Sequence, residues 1–343
     1  MFKKILIILL LILVISTAGI TFYIYKSFQP VSDGHDPTEM IQITIPKGES
    51  LYSTLDLLQE RNLIHDKWLY KVYSRLIHPF SVKSGLYNFS PNLSGLEILR
   101  LLEEGKQELV KVTIPEGLTS SEIAIILESK GIVNQEAFLD SLKSKELLNR
   151  LGIPGNSAEG YLFPDTYFFQ LDFPPEQVLE HMVQTYFNNL EDIFPFYKEL
   201  SNAKLQEKVI LASIVEKEYR VAVEAPLIAS VFYNRMKIGM PLQSCATVIY
   251  VITEEQGKPH PDRVFFRDLE IQSEFNTYLN KTLPPAPISN PGKTALKAAF
   301  NPAQTDYLFF VVKDAAAGTH NFTSTLADHN NARESYIQGF RSK

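Results

Sequence analysis

A glutamate at position 218 follows three large aliphatic residues at spacings that place all four side chains on one face of an α-helix. Leu211, Ile214 and Val215 precede this glutamate by seven, four and three residues, and these offsets fall on one helical stripe. A carboxyl group held against aliphatic side chains is desolvated mainly in its charged form, so we expect its pKa to be raised. A carboxyl that stays protonated near neutral pH can act as a general acid at a glycosidic oxygen.

The alternative for Glu218 is a purely structural role. Two other glutamates, Glu216 and Glu224, lie close to it in the sequence. Glutamate is rarely fully buried, so Glu218 could simply end the helix and point to solvent. Glu216 lies over Val209, Ala212 and Ser213, on a smaller and more polar face. Glu224 lies about 240° further around a continuous helix and would face elsewhere unless the helix breaks. The pattern therefore favours Glu218 as the acid and a structural or supporting role for Glu224.

Other kinds of catalytic site find little support in the sequence. His320, Asp328 and His329 lie within ten residues, but their spacing matches no zinc motif. No His-Glu-x-x-His motif and no Gly-x-Ser-x-Gly nucleophile elbow is present, and Cys245 is the single cysteine. We expect no metal site and no cofactor, and we expect the histidines to be structural or to make polar contacts beside the cleft.

Four further elements can be recognised after about residue 155. Residues 159–167 are acidic and aromatic, and they either line a sugar groove or pack a domain corner. A helix from Ala225 to Ile238 should stop at Gly239. Prolines stiffen residues 283–292 into an extended loop, and residues 309–312 predict a buried strand.

Polar and aromatic side chains on these elements are candidates for hydrogen bonding to sugar hydroxyl and acetamido groups. Arg235, near the end of its helix, could either satisfy backbone carbonyls or face the cleft. The other candidates that the segments themselves suggest are Glu159, Tyr161, Asn276, Tyr278, Asn290, His320 and Asn330.

The N-terminus predicts a membrane anchor. Ile5 to Tyr25 is a run of 21 residues without a charge, which as a helix spans roughly 30 Å, the thickness of a bilayer core. Lys3 and Lys4 precede it and favour a cytoplasmic N-terminus, with the bulk of the chain on the other side of the membrane. A cleaved signal peptide is the alternative, because residues 16–19 are small. The apolar run continues past them without an Ala-x-Ala pattern, which favours a retained single-pass anchor.

Composition is typical of an exported globular protein. The chain of 343 residues is 45% hydrophobic and 21% charged, which excludes a disordered chain. A net charge of −6 gives no support for nucleic-acid binding. One cysteine allows no intrachain disulfide, so stability must come from packing.

The domain organisation follows from a linker and a weak internal repeat. Residues 44–48 and 113–117 carry Thr-Ile-Pro-x-Gly, 69 residues apart, each between an alternating strand and an amphipathic helix opened by a Ser or Thr cap. With the strand 84–89 between them, the two copies are expected to frame one small α+β domain. The predicted fold class is α+β, with boundaries at 1–27 for the anchor, 28–40 for a linker, 41–108 for a small domain and 109–343 for a larger catalytic domain, in which 109–150 could form a separate α/β subdomain.

The segment around residues 43–64 resembles the start of a LysM module, a small fold that binds N-acetylated glycans. The alternative is a spacer without a ligand, because Tyr52 and Trp68 are its only obvious aromatic residues.

Across nearly the whole chain, the motifs taken in order resemble the YceG-like family of bacterial endolytic murein transglycosylases. The segments that carry the resemblance are the apolar span, the LysM-like region, 159–167, 211–218, 231–235, 242–243, 247–250, 276–278, 283–285 and 320–330. The resemblance implies that Glu218, the second glutamate of Glu-Lys-Glu, is catalytic, and it adds Gln243 and Thr247 to the substrate-binding candidates. Many relatives carry Asp-Pro where this chain has Cys245 and Ala246, so no carboxylate role carries over to that position.

The resemblance also implies a substrate, a reaction and a location. Peptidoglycan glycan strands would be cut between N-acetylmuramic acid and N-acetylglucosamine, leaving 1,6-anhydro ends and terminating strand elongation. The protein would sit in the bacterial inner (cytoplasmic) membrane, in contact with the lipid bilayer and with peptidoglycan synthases as further partners. Two alternatives remain at this point, a non-catalytic peptidoglycan-binding scaffold and a hydrolytic muramidase.

Overall fold

A computed structural model of the protein describes residues 2–31, 40–46 and 48–341. Residues 32–39 of the predicted linker, and Lys47 of the first repeat copy, lie outside the described residues. The chain divides into two compact units, one made of residues 1–110 with 168–172 and the other of residues 111–167 with 173 onward. Helices and strands are present in both, so the mixed α+β fold class is confirmed.

The predicted N-terminal helix is confirmed as α1, Phe2–Ser27. Its segment Leu6–Ser27 is long and apolar enough to cross a membrane, and all of its residues but Ser27 are exposed rather than packed into the protein. Among the described residues it is the single helix of that kind. These properties are consistent with a single-pass membrane protein.

The smaller unit packs a pair of strands against three helices. Its elements after α1 are β1 (Ile41–Ile45), α2 (Leu51–Glu60), α3 (Lys67–Leu76), β2 (Gly85–Phe89) and α4 (Gly95–Glu104). Strands β1 and β2 are antiparallel, with Ile43 opposite Tyr87. The inward residues of both strands pack on α2 and α4 in one apolar core. Ser50 caps α2 by accepting a hydrogen bond from the Ser53 backbone N–H, as the sequence predicts.

The second repeat copy forms the same local strand, turn and helix but pairs elsewhere. It comprises β3 (Val110–Thr113) and α5 (Ser120–Ser129), with a capping box between Thr119 and Glu122. Strand β3 pairs with β4 (Thr166–Phe169), not with β1 or β2. The expectation that the two copies frame one small domain is therefore wrong. A strand–turn–helix pattern specifies local conformation, whereas strand pairing depends on which distant segment satisfies the free backbone groups.

The larger unit is mainly helical and is built around one buried helix. Its further helices are α6 (Gln135–Ser141), α7 (Lys145–Leu151), α8 (Pro175–Ile193), α9 (Asn202–Glu218), α10 (Ala225–Lys237), α11 (Cys245–Tyr250), α12 (Lys293–Phe300) and α13 (Leu326–Arg341). Short 3₁₀ turns occupy Pro195–Glu199, Ala222–Glu224 and Phe266–Glu270, and a π-helical turn, Val251–Glu255, extends α11. Seven consecutive residues of α9, 209–215, are buried, so this helix is apolar on all sides and forms the centre of the unit.

An antiparallel pair closes the larger unit on the side of the candidate site. Strand β5 (Phe309–Asp314) lies against β6 (Thr319–Thr323), with Phe310 opposite Phe322 and an irregularity between Val312 and Asp314. The strand predicted at 309–312 is confirmed, but its residues are half-buried rather than buried. The reason is that Phe309 and Phe310 form part of a pocket wall.

Candidate functional site

Glu218 is the last residue of α9. The helix ends here because Tyr219 is extended, with φ −83° and ψ 148°. Leu211, Ile214 and Val215 on the same stripe are completely buried. Burial raises the pKa of the Glu218 carboxyl, and a hydrogen bond from Ser244 and nearby positive charges lower it by less. The predicted rise in pKa is thus confirmed, with the predicted cause.

A pocket of about 330 Å³ opens beside this carboxyl. Besides Glu218, it is lined by Arg235, Leu242, Gln243, Cys245, Tyr278, Phe309, Phe310, Leu326 and His329. The lining combines the aromatic rings of Phe309 and Phe310 with the amide of Gln243, the phenol of Tyr278 and the guanidinium of Arg235. Apolar ring faces combined with a few hydrogen-bonding groups suit a ligand with both apolar and polar faces, such as a pyranose ring.

Ser244 fixes the catalytic candidate in place. Its hydroxyl donates a hydrogen bond to Oε1 of Glu218. Ser244 occupies the N-cap position of α11 but makes no side-chain capping bond, because its hydroxyl is committed to the glutamate. Its backbone N–H donates to Oγ1 of Thr277 at 3.0 Å, and its carbonyl accepts from Thr247 at 2.8 Å. The sequence analysis missed Ser244, since a serine before a helix is normally an N-cap.

Glu224 and His320 form a buried pair near Glu218. The chain is extended after α9 and then turns through Ala222–Glu224 before α10, so the helix does break as the conditional expectation required. Glu224 accepts hydrogen bonds from the His320 backbone N–H at 3.1 Å and from its Nδ1 at 2.8 Å. Positive charge on His320 favours the ionised form of Glu218 and lowers its pKa. His320 therefore acts on the site electrostatically rather than as part of the pocket wall.

Arg235 combines the two roles that the sequence left open. Its Nε donates to the Leu308 carbonyl at 2.7 Å and its Nη1 to the Leu242 carbonyl at 2.6 Å. Its guanidinium also lies 5.4 Å from the centroid of the Phe309 ring and lines the pocket. Arg235 thus ties two segments of the wall together while its guanidinium forms part of the pocket lining.

Gln243 and Tyr278, two of the predicted substrate contacts, lie in the pocket with Cys245. Gln243 has a left-handed backbone, φ 53°, held by its N–H donating to the Thr277 carbonyl at 3.0 Å. The Tyr278 hydroxyl lies 3.0 Å from Sγ of Cys245. Burial raises the pKa of the Cys245 thiol, so the thiolate needed of a nucleophile is disfavoured.

Glu159, Tyr161 and Asn290 lie together in the interior, outside this pocket. The Asn290 side chain donates to Glu159 at 2.8 Å and accepts from the backbone N–H groups of Gly160 and Leu162, both at 2.9 Å. Burial raises the pKa of Glu159 to about 7. The Tyr161 hydroxyl donates to Gln206 at 2.9 Å. These contacts favour support of the loops over direct contact with a glycan.

Thr247, Asn276 and Asn330 also do not line the pocket. Thr247 is fully buried behind Ser244. Asn276 is fully buried and donates to the carbonyls of Leu269 and Ile271 at 2.9 and 2.8 Å, which fixes the loop before Tyr278. Asn330 is exposed on α13.

The surroundings of Glu216 are less polar than the sequence suggests. Burial, and the negative charge of Glu116, raise its pKa to about 7. Its carboxylate accepts from the Gly292 backbone N–H at 2.9 Å, at the start of α12. The covering segment lies 76 residues further along the chain, so helix periodicity alone could not reveal it. Glu216 does not line the pocket beside Glu218.

Metal-ligating side chains are not clustered in the part of the chain that the structure describes, where no group of three or more His, Cys, Asp or Glu residues could hold an ion. What the residues lining the pocket themselves offer is a carboxyl of raised pKa, able to transfer a proton, beside a guanidinium and aromatic rings.

Comparisons with known proteins identify a family, two named proteins and a solved structure that are similar to this chain. The model of the YceG-like family matches residues 43–335. A Bacillus subtilis (strain 168) protein named endolytic murein transglycosylase is 30% identical, over 95% of this chain and 92% of its own. A Streptococcus pneumoniae serotype 2 protein of the same name is 28% identical over 90% of this chain, which spans 60% of that protein's length. The crystal structure of a putative yceG-like protein from Listeria monocytogenes is similar with a TM-score of 0.56 and 31% identity, over 85% of this chain and 99% of that one.

Proposed function

The chain belongs to the YceG-like family, and from that premise we propose that it is a peptidoglycan lytic transglycosylase with Glu218 as its single acid and base. It cleaves the β-1,4 bond between N-acetylmuramic acid and N-acetylglucosamine within glycan strands. The observation that carries the proposal is the position of Glu218, whose carboxyl has a raised pKa, is fixed by Ser244 and faces a pocket with an aromatic wall.

The first step is protonation of the leaving group. Protonated Glu218 donates its proton to the glycosidic oxygen while the bond from that oxygen to the anomeric carbon of N-acetylmuramic acid breaks. N-acetylglucosamine leaves with a new hydroxyl, and positive charge develops on the muramic acid ring. A pKa raised by burial keeps the carboxyl protonated at a pH where an exposed glutamate is ionised.

The second step closes a ring without water. Glu218, now ionised, takes the proton from the C6 hydroxyl of the same muramic acid, and that oxygen bonds to the anomeric carbon to give a 1,6-anhydro end. Proton count and charge return to their starting values. The nucleophile belongs to the substrate and is already held close to its target, so no second carboxylate is required to activate water.

The other nearby carboxylates support this single-residue scheme. Glycosidases that hydrolyse their substrate commonly use two carboxyl groups that flank the bond. Glu216 is bonded to the Gly292 backbone and Glu224 to His320, and neither lines the pocket. Glu218 is the only carboxylate among the residues that line it.

Product masses test the reaction directly. Purified peptidoglycan is digested with the full chain in detergent, and the fragments are analysed by mass spectrometry. Anhydro-muropeptides are the expected products. Products with a reducing end, heavier than the anhydro products by one water, would instead identify a hydrolytic muramidase. Glycan binding without any products would identify a scaffold.

Anchoring by α1 would confine this activity to glycan near the membrane surface, where nascent strands emerge. We propose this location, with the bulk of the chain outside the cytoplasm, because α1 has the length and composition of a span. The LysM-like segment would hold the same strands, and peptidoglycan synthases would be neighbours. Crosslinking of the full chain in membranes tests the contact with synthases, which a lack of crosslinked synthase would contradict.

Replacing Ser244 by alanine is expected to shift the pH profile of cleavage. Activity requires protonated Glu218, so it falls as pH rises through the pKa of that carboxyl. The Ser244 hydrogen bond favours the ionised carboxylate and lowers this pKa, so its loss should move the alkaline limb to higher pH. Loss of positioning should also reduce kcat, by about tenfold for a hydrogen bond worth about 1.4 kcal/mol.

The neighbouring substitution Cys245→Ser is the matched control for Ser244→Ala. It changes a pocket residue that makes no hydrogen bond to Glu218, so its alkaline limb should stay close to that of the unmodified protein. An unchanged pH profile for Ser244→Ala, at normal folding, would contradict the positioning role.

A further inference from the structure

The outer end of α1 is fastened to α3. The Tyr23 hydroxyl donates to Oδ2 of Asp66, the N-cap of α3, at 2.6 Å. The Tyr70 hydroxyl donates to the Ser27 carbonyl at 3.1 Å, and the Phe28 ring lies 4.9 Å from the ring of Tyr70. The later residue of α1, Ser27, contacts the later residue of α3, Tyr70. α3 therefore runs alongside the end of α1 in the same N-to-C direction.

This arrangement fixes the level of α3 relative to a membrane that α1 spans. Tyr23 lies two residues before the end of the uncharged run at Tyr25, which at 1.5 Å per residue is about 3 Å inside the apolar boundary. Asp66 shares the level of Tyr23, and Trp68 lies two residues further along α3. Trp68 therefore shares the level of Tyr25, where the hydrocarbon core meets the headgroups.

Trp68 is also the residue type that this level favours. Its side chain is 62% exposed, although the next two residues of α3, Leu69 and Tyr70, are buried. Tryptophan is enriched at membrane–water interfaces because its ring is apolar while its N–H needs a polar partner. Leu76 and Ile77, at the other end of α3, are also exposed, at 75% and 68%, but a helical rise places them about 12–14 Å further along the chain from this level. Most of the indole surface is therefore free for contacts outside the small unit.

Two lysines lie close to Trp68 along α3. Lys67 and Lys71 lie one residue before and three residues after it, with side chains 42% and 30% exposed. Both approach the carboxylate of Asp56, at 2.9 and 3.6 Å, so one anion faces two cations. The Lys71 ammonium lies 5.2 Å from the ring of Tyr52, which is itself 52% exposed. Lysines at headgroup level gain from anionic lipids.

We propose that the first turn of α3, which carries Trp68, lies in the headgroup layer of the outer leaflet. The inference rests on the proposed membrane anchor and extends it. Together with α1, this contact gives the small unit two points of attachment to the bilayer. The second attachment restricts reorientation of the unit relative to the membrane. The β1–β2 pair and the LysM-like segment are then presented to glycan at a fixed height.

Fluorescence of Trp68 tests the proposal, because it is the single tryptophan of the chain. The full chain is reconstituted into vesicles of phosphatidylcholine and phosphatidylglycerol in which the lipids are brominated near the headgroup or near the chain ends. We expect bromine near the headgroup to cause a loss of emission, because an indole at the interface lies at that depth. Bromine near the chain ends should have little effect, and Lys71→Glu should weaken the quenching.

A relocated tryptophan provides the matched control. In the double variant Trp68→Phe with Ile77→Trp, the reporter moves nine residues along the chain, about 13 Å further out for a helical rise, at a position that is 68% exposed. Its emission should not respond to brominated lipid and should be quenched by aqueous acrylamide.

The outcomes separate the anchor from this inference. Full chain that fails to remain with the vesicles on flotation overturns the anchor and, with it, the proposal. Chain that floats with the vesicles, but whose Trp68 is insensitive to bromine and open to acrylamide, overturns the proposal alone and leaves the anchor standing.

Discussion

Substitution of Glu218 by glutamine is expected to reduce the rate of glycan cleavage by about 10²–10⁴-fold, the range typical of a general acid–base. Glutamine preserves the size of the side chain and can still accept the Ser244 hydrogen bond. It cannot donate a proton to the glycosidic oxygen, and it cannot take one from the C6 hydroxyl. Because one residue serves both steps, no other group in the pocket can replace it. The measurement is the initial rate of release of anhydro ends.

Glu216→Gln is the control for this experiment. Both glutamates of the Glu-Lys-Glu motif have a raised pKa, so a raised pKa does not identify the acid. Glu216 is bonded to the Gly292 N–H and lies outside the pocket, and its neutral variant should keep most of the activity. Equal glycan binding and equal melting temperatures for the two variants would confine the difference to the chemical step. A Glu216→Gln variant as inactive as Glu218→Gln would reverse the assignment.

Local sequence patterns predict the part of the site that one helix builds. The stripe of Leu211, Ile214 and Val215 identified Glu218 and the rise in its pKa, since helical geometry fixes which side chains are neighbours. Likewise, Ser50 and Thr119 mark the starts of α2 and α5 because capping depends only on nearby backbone groups. These features need no knowledge of the rest of the fold.

The remaining parts of the site come from distant segments and could not be read from periodicity. Ser244 is hydrogen-bonded to Glu218 although 26 residues separate them in the sequence, and His320 is hydrogen-bonded to Glu224 at a separation of 96 residues. Pairing of this kind depends on tertiary packing, as does the choice of β4 as the partner of β3. The break after α9 gave one available signal, because Glu224 was expected to approach the site only if the helix ended.

Candidate sugar contacts were the least predictable, because internal and external hydrogen bonding use the same residue types. Asn and Tyr in a loop rich in proline can bind a glycan, but a loop without regular structure also leaves many backbone groups that need partners. Asn290 satisfies such groups in this protein, and the hydroxyl of Tyr161 bonds Gln206 in the core. Gln243 and Tyr278 differ because the two loops that carry them border the pocket.

Replacement of Asn290 by alanine is expected to lower the free energy of unfolding by about 3–5 kcal/mol, since each buried polar group left without a partner costs about 1–3 kcal/mol. The side chain is fully buried. Its oxygen accepts from the Gly160 and Leu162 N–H groups, and its nitrogen donates to Glu159 and to the Leu118 carbonyl at 3.0 Å. Alanine removes all four hydrogen bonds at once.

The surrounding loops have little freedom to compensate for that loss. Gly160 has φ +88°, and a Cβ there would lie 2.6 Å from the ring of Pro287, so the two segments are already in close contact. Water could enter only by separating them. Urea denaturation of the full chain in detergent, followed by circular dichroism, measures the change. Asn330→Ala is the control, because an exposed asparagine on α13 should alter stability by no more than about 0.5 kcal/mol.

The same pair of variants separates structural support from substrate contact at Asn290. Loss of support predicts a lower denaturation midpoint, with cleavage by the fraction that remains folded only modestly changed. Direct contact with a sugar predicts the opposite, a normal midpoint and a raised KM. An Asn290→Ala protein as stable as Asn330→Ala would therefore contradict the four-bond network and return Asn290 to the glycan cleft, in contact with substrate as the sequence alone suggests.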